Sequence, residues 1–181
     1  MATRIRRPRA VLFDRDGTLV VDVAYNGDPA RVQPMPTVAA SLRMLRAAGI
    51  ATGVVTNQSG IGRGIVSADA VGRVNSRIDD LLGPFDVWQV CPHAPGEDCA
   101  CRKPRPGMIL AAADQLGLPP ADVAVIGDIG SDMDAAAAAG AQHVLVPTPV
   151  TRREEVEREN LVADDVAGAL ALLMGAEAAA P

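Results

Sequence analysis

The chain has 181 residues, 49% of them hydrophobic and only 2% aromatic, with a net charge of -5 at pH 7 and a pI near 5.0. That length suits one compact domain, 1–181, with a core built from Ala, Val, Leu and Ile. The acidic balance and the lack of stacking side chains argue against nucleic acid or an anionic membrane surface as partner, and no apolar run approaches the ~20 residues of a membrane span.

The basic start, with Arg4, Arg6, Arg7 and Arg9, reads as a frayed terminus over residues 1–9. Strand-like runs then fall at about 10–14, 51–56, 86–90, 122–127 and 142–146. Between and after them lie helical stretches at about 36–48, 67–82, 106–117, 131–139 and 163–174, and 176–181 reads as a disordered tail. Pro106 suits a first helical turn, and Gly49, Gly117 and Gly140 suit helix ends. Alternation of this kind predicts an α/β fold, a Rossmann-like doubly wound parallel sheet that binds ligands beyond its strand C-termini. The run Arg152–Arg158 mixes both signs at helical spacing, as an exposed helix does, and His143 reads as a strand residue. Gly60, Gly62 and Gly64 are spaced G-x-G-x-G, which fits a mobile loop over the site rather than a dinucleotide fingerprint.

Chemistry gathers at the strand ends. After the apolar Ala10–Phe13 come Asp14 and Asp16, which as residues i and i+2 of an extended strand point to the same side and can converge on one substrate atom, so that one carboxylate can attack while the other moves protons. The next strand ends in Thr56, a donor for phosphate oxygens. Arg102 and Lys103 offer adjacent cations, and the fourth strand ends in Asp128, followed by Asp132. Carboxylates beside a cationic clamp suit phosphoryl transfer with a hard cation.

All three cysteines and one of the two histidines fall within eleven residues, as Cys91, His93, Cys99 and Cys101. Three thiolates and an imidazole make a closed tetrahedral zinc set, which marks a structural site. No secretory leader is read at the start, so the thiols are expected to be reduced and the location cytoplasmic. Zinc would fix the loop 91–103, which ends on Lys103.

The set D-x-D-G-T, strand-end Thr, Lys and G-D-x-x-x-D resembles the haloacid dehalogenase superfamily of phosphatases over about Ala10 to Val146. The resemblance implies Asp14 as nucleophile, Asp16 as general acid and base, Thr56 and Lys103 stabilising the phosphoryl group, and Asp132 as supporting acid. It also implies Mg2+ held by the Asp14 and Asp128 side chains and the Asp16 backbone carbonyl. No large cap domain is expected, because a loop and one helix fill the interval from Asp16 to residue 51.

The zinc loop, T-N-Q-S-G-I-G-R-G at Thr56–Gly64 and C-R-K-P-R-P-G-M at Cys101–Met108 resemble the heptose-bisphosphate phosphatase branch. That likeness implies removal of the 7-phosphate of a heptose 1,7-bisphosphate, with Arg102, Asp22, Tyr25, Asn57, Gln58 and Ser59 contacting a small phosphorylated sugar, and a monomer. Ile129 stands where that branch can carry a substrate-contacting Lys. Histidinol phosphate is the alternative substrate. A phosphoacceptor signalling domain is a further one, which Asp16 and the zinc loop disfavour.

Overall fold

The computed structural model describes residues 6–175; Arg4 and the tail 176–181 lie outside the described residues. Five strands form one sheet: β1 (Ala10–Phe13), β2 (Ala51–Asn57), β3 (Val87–Cys91), β4 (Val123–Gly127) and β5 (Gln142–Leu145). Their order is β3-β2-β1-β4-β5, and every neighbouring pair is parallel. β1 is central and buried on both faces, which is why its sequence is an unbroken apolar run.

Around the sheet lie α1 (Val38–Ala47), α2 (Ser59–Gly62), α3 (Ala68–Leu82), α4 (Gly107–Gln115), α5 (Gly130–Ala139), α6 (Arg153–Arg158) and α7 (Val166–Leu173). Successive strand side chains point to opposite faces, so β1 feeds two cores. Val11 and Phe13 pack with Leu42 and Leu45 of α1, Ile78 of α3 and Leu170 of α7. Ala10 and Leu12 pack on the other side with Met108 and Ile109 of α4 and Ala135 and Ala136 of α5. Helix ends follow local chemistry: the Ser67 hydroxyl accepts from the Ala70 N–H at 3.1 Å, and Gly140 closes α5 at φ +77°.

Two local expectations change. Residues 6–9 are held rather than frayed: the Arg6 N–H and carbonyl pair with the Gln142 side-chain amide at 2.9 Å each, and the Arg9 N–H donates to the Asp122 carbonyl at 2.8 Å. The Gly60–Gly64 stretch is not a free loop, because residues 59–62 form a helical turn whose Gly62 N–H donates to the Pro92 carbonyl at 2.8 Å. From Gly17 to β2 the regular elements are a 3-10 turn at Pro29–Arg31 and α1, so no large cap stands over the sheet. No helix of the described residues is long and apolar enough to cross a membrane.

Candidate active site

At the C-terminal edge of the sheet, a cavity of about 260 Å³ is lined by Asp14, Asp16, Asp22, Tyr25, Thr56, Asn57, Gln58, Ser59, Lys103, Asp128 and Asp132 among others. β1 ends at Phe13, one residue earlier than the sequence suggests, but the Asp14 N–H still donates to the Ile126 carbonyl at 2.9 Å and is carried by the ladder. Beyond it the chain turns, with the N–H groups of Leu19 and Val20 both donating to the Arg15 carbonyl at 3.0 Å. Asp16 therefore reaches the cavity through a turn and not by strand alternation. Gly17 has φ +83°, and a Cβ there would land on the Asp128 carboxylate, so only glycine fits this approach.

Lys103 is the electrostatic centre. Its ammonium is buried, 2.8 Å from Asp14 Oδ1, 2.5 Å from Asp132 Oδ1 and 2.8 Å from the Val55 carbonyl oxygen. Burial alone would pull its pKa down, but the Asp132 and Asp14 charges outweigh burial and hold it above the ordinary lysine value. Asn57 fixes its backbone from both sides, accepting from the Lys103 N–H at 3.1 Å and donating to its carbonyl at 3.2 Å.

Asp14, Asp128 and Asp132 each present a carboxylate oxygen within 4.8 Å of the others. Burial first, then the neighbouring Asp14 and Asp132 charges, pushes Asp128 up to about 8. Three crowded carboxyls with a single ammonium leave uncompensated negative charge, which is the donor set a hard divalent cation needs, so the residues fit Mg2+. Asp132 already pairs with Lys103 and accepts from the Ile129 N–H at 3.2 Å. Both Asp132 oxygens are thus engaged, whereas Asp14 gives Lys103 only Oδ1, which leaves Asp14 Oδ2 and the Asp128 carboxylate for the ion.

The four zinc-type residues also converge. Cys101 Sγ lies 3.1 Å from Cys91 Sγ and 3.2 Å from His93 Nδ1, Cys91 Sγ lies 3.6 Å from His93 Nδ1, and Cys99 Sγ is 3.9 Å from Cys91 Sγ. Donors around tetrahedral zinc sit about 3.8 Å apart for two sulfurs, so the cluster fits one ion. Burial pushes the Cys91 thiol up to about 12, so its thiolate requires the cation it would bind.

Sequence reasoning placed the cavity-lining residues together, Arg102 excepted. Arg102 is half-buried, donates to the His93 carbonyl at 3.3 Å and is not among the lining residues. Sequence reasoning also passed over Arg15, which is 1% exposed and forks onto Asp16, and Thr151, whose hydroxyl donates to the Asp128 carbonyl at 2.6 Å. Neither carries a local signal, since Arg15, though it lines the cavity, is committed to Asp16, and Thr151 reaches only the Asp128 backbone.

Comparison with known proteins agrees with this geometry. Residues 100–171 match the HAD-hydrolase-like family model. The D-glycero-beta-D-manno-heptose-1,7-bisphosphate 7-phosphatase of Pseudomonas putida is 35% identical over 167 residues, covering 88% of this chain and 95% of its own. The enzyme of the same name from Rhodopseudomonas palustris is 40% identical over 150 residues, 77% of this chain and 83% of its own. The crystal structure of D,D-heptose 1,7-bisphosphate phosphatase from B. bronchiseptica, complexed with magnesium and phosphate, superposes with a TM-score of 0.82 at 30% identity, covering 92% of this chain and 98% of that one. A common fold and this level of identity over most of both chains leave one conclusion: the protein belongs to the D-glycero-beta-D-manno-heptose-1,7-bisphosphate 7-phosphatase family of HAD-like hydrolases.

Proposed function

We propose that this chain is a Mg2+-dependent phosphatase that removes the 7-phosphate of D-glycero-beta-D-manno-heptose 1,7-bisphosphate in the cytoplasm, acting as a monomer on a small phosphorylated sugar. The observation that carries the reading is the convergence of Asp14, Asp16, Thr56, Lys103 and Asp128 on one cavity at the sheet edge. The family relationship supplies the substrate.

Asp14 attacks phosphorus and forms an aspartyl-phosphate, while Asp16 gives its proton to the departing sugar oxygen as the P–O bond breaks. Asp16, now ionised, takes a proton from the water that attacks the aspartyl-phosphate, which releases inorganic phosphate and restores Asp14. Burial raises the Asp16 carboxyl above its ordinary value against the pull of Arg15, as a proton donor requires. Thr56 and Lys103 donate to the phosphoryl oxygens, and Asp132 keeps Lys103 charged and in place. Asp14, Asp128 and the Asp16 carbonyl would hold Mg2+, which would supply charge neutralisation at the phosphoryl group. Asp22, Tyr25, Asn57, Gln58 and Ser59 contact the sugar from the cavity wall, and Arg102, which rests on the His93 carbonyl outside that lining, would have to leave this contact to reach it.

The test is kcat/KM with Mg2+ for the beta anomer of the heptose bisphosphate against histidinol phosphate in one preparation. Preference for the heptose substrate is expected. Preference for histidinol phosphate overturns the substrate assignment and leaves the catalytic chemistry standing.

A further inference from the structure

Asp16 does not hang freely in the cavity. Its Oδ2 lies 2.9 Å from Arg15 Nη2 and accepts from Gln58 Nε2 at 2.8 Å, while Arg15 Nε lies 3.1 Å from both oxygens. Oδ2 is therefore held by two donors of its own, and Oδ1 has only a share of one. The guanidinium behind it is itself fixed: Arg15 Nη1 donates to Asn75 Oδ1 at 2.8 Å, a contact spanning 60 residues from β1's exit to the middle of α3. Asn75 is a neutral amide and adds nothing to the charge balance of the buried guanidinium; it accepts from one of its N–H groups and fixes where that group points. What Asn75 adds is direction, since a fork held at two ends cannot swing about its long flexible stem.

We propose that Asn75 and Arg15 are positioning residues that pin Oδ2 of Asp16 and so aim Oδ1 at the sugar oxygen that leaves and at the water that later attacks. The inference rests on the phosphatase reading and deepens it by naming which oxygen moves the proton and what holds it there. In the first step the proton on Oδ1 passes to the sugar oxygen; in the second, Oδ1 recovers a proton from water. Asp14, though next to Arg15 in sequence, is held by its ladder bond to the Ile126 carbonyl, and Lys103 is held by Asn57, so loss of the strut should damage proton transfer and spare phosphoryl capture.

Proton donation matters only when the leaving group is a poor one, which supplies a readout that general structural damage cannot imitate. A sugar alkoxide needs the acid, whereas p-nitrophenolate leaves unaided. Changing Arg15 is a poor test, because deleting a fully buried guanidinium endangers the fold. Asn75→Ala sits at a half-buried helical position where Ala is well tolerated. Misaiming a catalytic group by a fraction of an ångström to an ångström costs up to about 100-fold, so Asn75→Ala should lose about 10-fold or more in kcat/KM on the heptose bisphosphate and less than about twofold in kcat/KM on p-nitrophenyl phosphate, since kcat/KM reports the steps through loss of the alcohol and not the water attack common to both substrates. Asn75→Asp, which keeps an acceptor oxygen for Arg15, should restore most of the heptose rate. Equal loss on both substrates, or no loss on either, overturns the proposal while the wild-type rates still uphold the phosphatase. A folded, Mg2+-saturated wild type inactive on both substrates removes the phosphatase reading and this inference with it.

Discussion

Replacing Lys103 with Ala separates the structural from the catalytic consequences of one buried charge. The change removes three contacts at once, to Asp14 and Asp132 and to the Val55 carbonyl, and strands Asp132, which is 0% exposed, with one backbone donor. Breaking a buried ion pair from one side costs about 3–5 kcal/mol. For a chain of this size that corresponds to a fall in Tm on the order of 10 °C. Loss of one preorganised donor to the phosphoryl group costs about 100- to 1000-fold in kcat. The two losses should respond differently to Mg2+, since a cation between Asp14 and Asp128 replaces part of the missing positive charge but cannot replace the donor. Scanning fluorimetry with and without Mg2+ should therefore show partial recovery of Tm, while phosphate release stays depressed. If folded, Mg2+-saturated Lys103→Ala turned over at the wild-type rate, the assigned role of Lys103 would be wrong.

The other predictions concern the metals and the backbone around them. Asp128, raised from 3.8 to about 8, binds more protons folded than unfolded, so in metal-free protein its contribution to stability is lost as pH rises from about 4 to 8. Denaturant titrations across that range should show the decline, and Asp128→Asn or added Mg2+ should flatten it. Gly17→Ala forces a side chain into left-handed backbone at about 1–2 kcal/mol and drives it against Asp128, so isothermal titration should find Mg2+ affinity sharply reduced. Elemental analysis should find one zinc per chain, and Cys99→Ser or chelation should lower kcat more than it lowers helix content in circular dichroism, because the ion secures a loop outside the sheet.

Asp14, Thr56 and Asp128 were legible because each follows an apolar strand run, and a parallel sheet delivers all its strand ends to one edge. The zinc set was legible because its ligands are local in sequence. Arg15 was not, because strand alternation sends residue i+1 away from its neighbours, whereas here the chain turns at Arg15 and folds its guanidinium back onto Asp16. Adjacent Arg102 and Lys103 looked like a matched pair of cations, yet a turn sends one ammonium into the core and leaves the other side chain on the His93 carbonyl. Asn75 and Thr151 reach the site from distant elements, and contacts across such separations leave no periodicity or spacing to read.

The charge distribution also fixes the order in which the site can be filled. Asp14, Asp16, Asp22, Asp128 and Asp132 line the cavity against two cations, Arg15 and Lys103. Arg15 is committed to Asp16, and Lys103 is shared between Asp14 and Asp132. A phosphate dianion approaching Asp14 thus meets net repulsion unless Asp14 and Asp128 have already taken up a divalent cation. Metal dependence should accordingly appear in phosphate binding itself and not only in turnover. A site of this composition gains selectivity from the requirement, because a phosphoryl group that cannot reach the cation and Lys103 together has no uncommitted positive charge in the cavity to offset the surrounding acidic side chains.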